Sequence, residues 1–135
     1  LYLIHSFRVE KSYWQSPLLS AGEIHRTLRE GLEQAKDTRL PQVEIRKRFK
    51  PFVEDELPGL LAGRQGLVAH PYAGSAGNPA LSLERPALIC VGPEGGFIPY
   101  EVEKLLAAGC SPLDLGERIY RVETFLPLLV GRLFH

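Results

Sequence analysis

Three short apolar segments constrain the fold of this chain most. Two are buried-type strands, Gly66–His70 (GLVAH) and Ala87–Val91 (ALICV), and the third, Ser111–Leu115 (SPLDL), is a strand that also carries Ser and Asp. A strand with one wet face alternates apolar and polar residues, whereas an apolar strand that does not alternate must be covered on both faces. Helical segments supply the cover. Ser20-Ala-Gly-Glu23 has capping-box spacing, and behind it Ile24, Leu28, Leu32 and Ala35 form one stripe of an amphipathic helix ending before Leu40-Pro41. Pro51–Leu61 reads as a short helix closed by Gly63, and Pro99–Ala108 as a helix with Pro in its first turn and Gly109 as its cap. A last helix is expected from Thr124 as N-cap, which puts Pro127 in the first turn. Leu1–Phe7 and Val43–Phe49 complete the strands, and residues 72–85, rich in Gly, Ala, Ser and Pro, form a loop. Strands and helices in alternation make this an α/β chain built on a parallel sheet.

With 135 residues, 44% of them hydrophobic, the chain holds one domain's core, and no apolar run reaches the roughly 18 residues of a membrane span. The N-terminus lacks the basic-then-apolar pattern of a secretory signal. Cys90 and Cys110 sit in or beside apolar segments without metal-ligand spacing and are expected to be buried thiols of a cytoplasmic protein. The net charge is zero but unevenly placed: +4 over residues 1–50 and −4 over the rest. The densest run, Arg46, Lys47, Arg48 and Lys50, is read as one solvated strand face before it is read as a stripe for a phosphate backbone.

Two segments are placed to carry chemistry, because a parallel sheet binds ligands beyond the carboxyl ends of its strands. The first is Val91-Gly92-Pro93-Glu94-Gly95-Gly96-Phe97, where paired glycines let backbone N–H groups approach a ligand and the following helix start favours an anionic group. A plain tight turn accounts for the same residues. Neither GxGxxG nor GxxxxGK[ST] is present, which counts against NAD and ATP hydrolysis. The second is the stretch from Leu115 to Thr124 (LGERIYRVET), where Arg118, Arg121 and Glu123 crowd a short connection; an exposed salt bridge explains them equally well. His5, His25, His70 and His135 have no metal-ligand spacing, so no metal site is expected. His70 ends its strand, where a capping role is commoner than a catalytic one. Trp14 lies outside any periodic segment, and an aromatic tucked under a loop is commoner than a base-stacking one.

GPEGGF before a helix, and LGERIYRVET before a terminal helix, together resemble the RsmE-like 16S rRNA (uridine-N3) methyltransferase family of the SPOUT superfamily. The match is residue by residue at Gly92–Phe97, Leu115, Gly116, Arg118, Ile119, Arg121, Glu123 and Thr124, with Leu32-Glu-Gln34 and Leu40-Pro41 as weaker support. The resemblance implies a parallel sheet whose C-terminal part forms a trefoil knot. It implies S-adenosylmethionine (SAM) as cofactor, held by His70, Pro71, Gly92, Pro93, Glu94, Gly95, Gly96, Leu115, Gly116, Ile119, Tyr120 and Arg121. Of the residues it carries over, Arg121 is expected to stabilise charge on the uracil, and Glu94 or Glu123 to orient the base or take its proton. RNA, ribosomal by this resemblance, is the expected partner, and a homodimer through the terminal helix the expected assembly. Residues 1–135 correspond to the methyltransferase domain; the upstream RNA-binding barrel of the family has no counterpart in them, in keeping with a chain that opens at Leu1 and contains no Met. Three departures stand out: Asp37 where the family has Arg, Ile98 in place of a Ser or Thr cap, and Phe125 in place of Ala. They keep open a methyltransferase for another RNA position, or a SAM-binding dimer without catalysis.

Overall fold

The computed structural model describes residues 1–70, 86–113, 118 and 120–134, the last three without their side chains. The strands are β1 (Tyr2–Ile4), β2 (Glu44–Arg46), β3 (Gln65–Ala69), β4 (Ala87–Val91) and β5 (Ser111–Leu113). The helices are α1 (Ala21–Ala35), α2 (Phe49–Pro51), α3 (Leu57–Leu60), α4 (Pro99–Ala107) and α5 (Val122–Phe134). All described pairings are parallel, as the apolar segments require. They divide into two sheets, β1-β2 and β4-β3-β5. The chain falls into two compact units, the first holding Leu1–His5 and Val9–Lys47, the second Ser6–Arg8 and Arg48–His135.

In the second unit, β3 lies between β4 and β5 in the register Leu67↔Ile89, Leu67↔Ser111 and Ala69↔Leu113. Parallel partners point to the same face, so Leu67, Ile89, Val91 and Leu113 share one face. There they pack with Leu129 and Phe125 of α5. The opposite face carries Gly66, where a Cβ would stand 2.6 Å from Leu61 Cδ2 and 3.2 Å from Cys110 Sγ. Both faces are covered. The glycine is needed because its neighbours fill the space a side chain would take.

Between α2 and α3 the helix widens into a π-turn over Phe52–Glu56, with the Leu57 N–H reaching the Phe52 carbonyl. Pro58 follows and has no N–H to offer the Glu54 carbonyl, and a wide turn is one way a helix absorbs that loss. Phe52, Val53 and Leu57 are buried, and Lys104 of α4 pairs with Glu54 at 2.7 Å. Cys90 and Cys110 are free thiols. Hydrogen bonding with Cys110, and then burial, push the Cys90 thiol well up, so it stays protonated.

The first unit is built locally. Ser20 Oγ accepts from the Glu23 N–H at 3.4 Å, but the Glu23 carboxylate binds Arg26 rather than turning back, so half of the expected capping box forms. Lys36 closes α1 in the left-handed region, φ +53°. Asp37 then accepts from the Thr38 and Arg39 N–H groups at 2.6 and 3.1 Å, which gives this departure from the family pattern a plain turn-forming job. Trp14 lies in a 3₁₀ turn against His5, ring centroids 5.1 Å apart.

Several boundaries differ from expectation, among them the first strand, expected over Leu1–Phe7, which spans Tyr2–Ile4. The strand expected over residues 43–49 ends at Arg46, and Phe49 already opens a helix. The basic run is therefore not one strand face, and Arg46 itself is taken by Glu44 at 3.1 Å. The terminal helix starts at Val122 rather than after a Thr124 cap, because the N–H groups of Thr124 and Phe125 already bond the Arg121 carbonyl at 3.0 and 2.8 Å. Pro127 then falls inside the helix, where the Glu123 carbonyl loses its i+4 donor. The expected loop over residues 72–85 and the end of the third strand lie outside the described residues.

Candidate functional site

The carboxyl ends of β3, β4 and β5 open on one cavity of about 830 Å³, within the range that holds a drug-sized ligand. Ala69 and His70 enter it from β3, Val91 to Phe97 from β4, and Leu113 from β5. Apolar side chains of α4 and α5, among them Val102, Leu106 and Phe125, close its sides. All lining residues belong to the second unit.

The loop from Gly92 to Gly96 takes its shape from glycine at two positions for different reasons. A Cβ on Gly92 would stand 3.0 Å from the Phe97 backbone nitrogen, so a side chain there forces the loop open. Gly96 has φ +70°, a conformation that L side chains rarely adopt, and its N–H closes a turn on the Pro93 carbonyl at 2.7 Å. Gly95 is different again. Its missing Cβ makes room for Arg8, whose Cδ would lie 3.0 Å away, and Arg8 Nη1 donates to the Gly95 carbonyl.

The helix behind the loop is capped without the usual hydroxyl. Ile98 has no side-chain acceptor, but Pro99 presets the first turn, and Glu101 reaches back to accept the Ile98 N–H at 3.0 Å. The same carboxylate, 2% exposed, accepts the Phe7 N–H at 2.7 Å. It thereby ties the segment Ser6–Arg8 to the start of α4.

Of the residues singled out from sequence, His70, Gly92, Pro93, Glu94, Gly95, Gly96, Phe97, Arg118 and Tyr120 line the cavity together. His70 is half-buried; burial, and secondarily the Arg8 guanidinium, hold its imidazole below the ordinary 6.5. Glu94 is exposed at the loop tip. Arg121 and Glu123 form an exposed pair 3.9 Å apart and are not among the lining residues, whereas their neighbours Tyr120 and Val122 are. Pro71, Leu115, Gly116 and Ile119 lie outside the described residues. Among the described residues no group of three or more His, Cys, Asp or Glu gathers, and no helix is long and apolar enough to cross a membrane.

Arg8 escaped the sequence reading. Nothing within a few residues of it marks a site, and its partner Gly95 is 87 positions away. The one signal available was the second glycine of the Gly95-Gly96 pair, since a turn needs only one.

Several solved structures share this arrangement. A probable rRNA-methyltransferase from Porphyromonas gingivalis is 25% identical and superposes with a TM-score of 0.72 over 96% of this chain and 54% of its own. A ribosomal RNA small subunit methyltransferase E from Neisseria gonorrhoeae, bound to S-adenosyl methionine, is 19% identical with a TM-score of 0.74, covering 96% and 51%. A Legionella pneumophila structure described as a methyltransferase with bound SAM is 22% identical with a TM-score of 0.71, covering 96% and 52%. The last two speak for the fold alone, and the chain spans about half the length of all three. No curated protein matches. The family model described as an RNA methyltransferase domain matches residues 1–133, nearly the whole chain, and on that match the chain belongs to the RNA methyltransferase domain family.

Proposed function

We propose that this domain is a SAM-dependent RNA methyltransferase that acts on uracil N3 in 16S ribosomal RNA. The observation that carries the reading is the cavity at the carboxyl edge of the three-stranded sheet, shaped by the glycine loop and walled by apolar side chains. Its residues fit the cofactor. The tight loop at Gly92 and Gly96 offers backbone polar groups, and Val91, Val102, Leu106 and Phe125 offer an apolar bed for an adenine. Pro71, Leu115, Gly116, Ile119 and Tyr120 complete the proposed set, from which Arg121 drops out because it does not line the cavity, and the C-terminal part of the chain forms the knot.

When bound, SAM supplies a methyl group already activated by its sulfonium. The protein has to hold the base in line and manage one proton, because uracil N3 gives up its hydrogen as the methyl arrives. To Glu94, exposed at the loop tip, we assign the role of orienting the base or taking that proton. Arg121, 80% exposed, meets the base from outside the cavity and offsets the negative charge that develops on the ring. Glu123, 3.9 Å from Arg121, is the alternative to Glu94 for orienting the base or taking its proton. The target base must leave its stack to reach the cavity, so a single-stranded loop is the substrate. A homodimer through α5 accords with Leu126, Leu128 and Val130, which are 43, 42 and 52% exposed along that helix; we place it in the cytoplasm.

Isothermal titration of SAM into the wild-type protein and into Gly96→Val tests the cavity. Saturable binding in the former and none in a folded Gly96→Val protein is expected. Mass spectrometry of nucleosides from treated ribosomal RNA then tests the position, with 3-methyluridine as the expected product. A folded wild type that does not bind SAM overturns the reading. Binding followed by methylation elsewhere keeps the enzyme and moves the target.

A further inference from the structure

Within the second unit, the segment Ser6–Arg8 is held at consecutive residues. Ser6 is 4% exposed, the Phe7 N–H is held by the buried Glu101 carboxylate, and Arg8 reaches the glycine loop. Arg8 itself is gripped twice. Its stem occupies the space a Gly95 side chain would need, and Nη1 donates to the Gly95 carbonyl. A guanidinium carries five N–H donors in a rigid fork, so a single carbonyl leaves most of that capacity for something else. The group also lines the cavity, close enough to His70 to disfavour a second positive charge there.

A surface arginine normally loses side-chain freedom when it binds, and that loss offsets much of the gain. Arg8 is exposed, but its stem against Gly95 and its bond to the Gly95 carbonyl already restrict that freedom. A guanidinium restrained in this way at the wall of an apolar cavity is suited to an anionic oxygen group, which it can meet with two parallel hydrogen bonds.

We propose that Arg8 is a binding residue of the cavity, which takes an anionic oxygen group of a ligand through the donors that Gly95 leaves unused. The proposal rests on the methyltransferase reading, which offers two sources of such a group. One is the carboxylate at the amino-acid end of SAM, the other a phosphate flanking the target nucleotide.

Arg8→Met and Arg8→Lys test it. Met keeps a stem to pack against Gly95 and removes the charge, whereas Lys keeps the charge without the fork. Thermal melts establish that both variants fold. SAM and 5′-methylthioadenosine, which lacks the amino-acid end, are titrated into each protein, and initial methylation rates are measured while SAM and RNA are varied separately. A loss of about 10-fold or more in SAM affinity for Arg8→Met, partly restored in Arg8→Lys and absent with methylthioadenosine, supports the carboxylate source. Unchanged SAM affinity, with a 10-fold rise in KM for RNA and a shallower salt dependence by about one phosphate contact, supports the phosphate source. A folded Arg8→Met protein with wild-type SAM affinity and wild-type KM for RNA overturns the proposal and leaves the methyltransferase reading intact. Equal losses for SAM and methylthioadenosine also overturn it, because they assign Arg8 to loop shape alone. A wild type that does not bind SAM overturns both readings, and that result is seen before any variant is made.

Discussion

The two units contain the same elements, parallel strands and amphipathic helices, yet only one has a core. Every described hydrophobic side chain that is fully buried belongs to residues 52–129, in the second unit. In the first unit β1 and β2 carry no buried residue, and the stripe Ile24, Leu28 and Leu32 of α1 is half-covered. Its order rests on an N-cap, on Arg26 bridging Glu23 and Glu30, and on the turn at Asp37. Such contacts are worth tenths of a kcal/mol to about 1 kcal/mol each. A middle strand with a neighbour on either side lets helices cover both faces of one sheet, and a two-stranded ribbon offers too little surface for that. The cavity stands on the unit that has the core, as precise placement of loop atoms demands.

Three measurements test this contrast. The largest effect is expected from Leu67→Ala, at the centre of the three-stranded sheet and fully buried, which should lower stability by about 3–4 kcal/mol in urea unfolding. Leu28→Ala, on the half-covered stripe, should cost about 1 kcal/mol. Equal losses would mean that the first unit is as well packed as the second. Glu101→Gln comes next. Its carboxylate accepts two backbone N–H groups, and an amide turns one acceptor into a donor facing a donor. A loss of about 2 kcal/mol is expected, with faster amide exchange at Phe7 and Ile98. Exchange unchanged at Phe7 would show that the carboxylate does not hold that segment.

The smallest effect is a pH slope. The folded state holds the His70 pKa below 6.5, so as pH falls through that value the unfolded chain binds a proton first and stability drops. The loss grows until the folded state is protonated too, and above about pH 7 the group contributes no slope. His70→Gln should flatten this part of the melting-temperature profile. A profile with the same slope in the variant would assign the pH dependence to other groups.

The extent to which the site could be read in advance follows from distance along the chain. GLVAH and ALICV became β3 and β4, Pro99 opened α4 and Gly109 followed its end with φ +107°, because each feature depends on residues within about four positions. The glycine loop was placed at the sheet edge by the same local logic. The start of α5 differs from the sequence expectation because Thr124 is a good cap, yet the Arg121 carbonyl already begins the helix. Asp37 looked like a lost functional residue, and two backbone N–H groups account for it.

Local chemistry along the chain thus settled which segments are strands, which are helices and where the glycine turn falls. Only tertiary structure decided that Gly66 must leave room for Leu61 and Cys110, that Glu101 serves Phe7 as well as its own helix, and that Arg8 meets Gly95. The physical reason is that propensity and periodicity act through neighbouring residues. These contacts follow instead from strand register and from how helices seat on the sheet, and both are set by the packing of the whole unit.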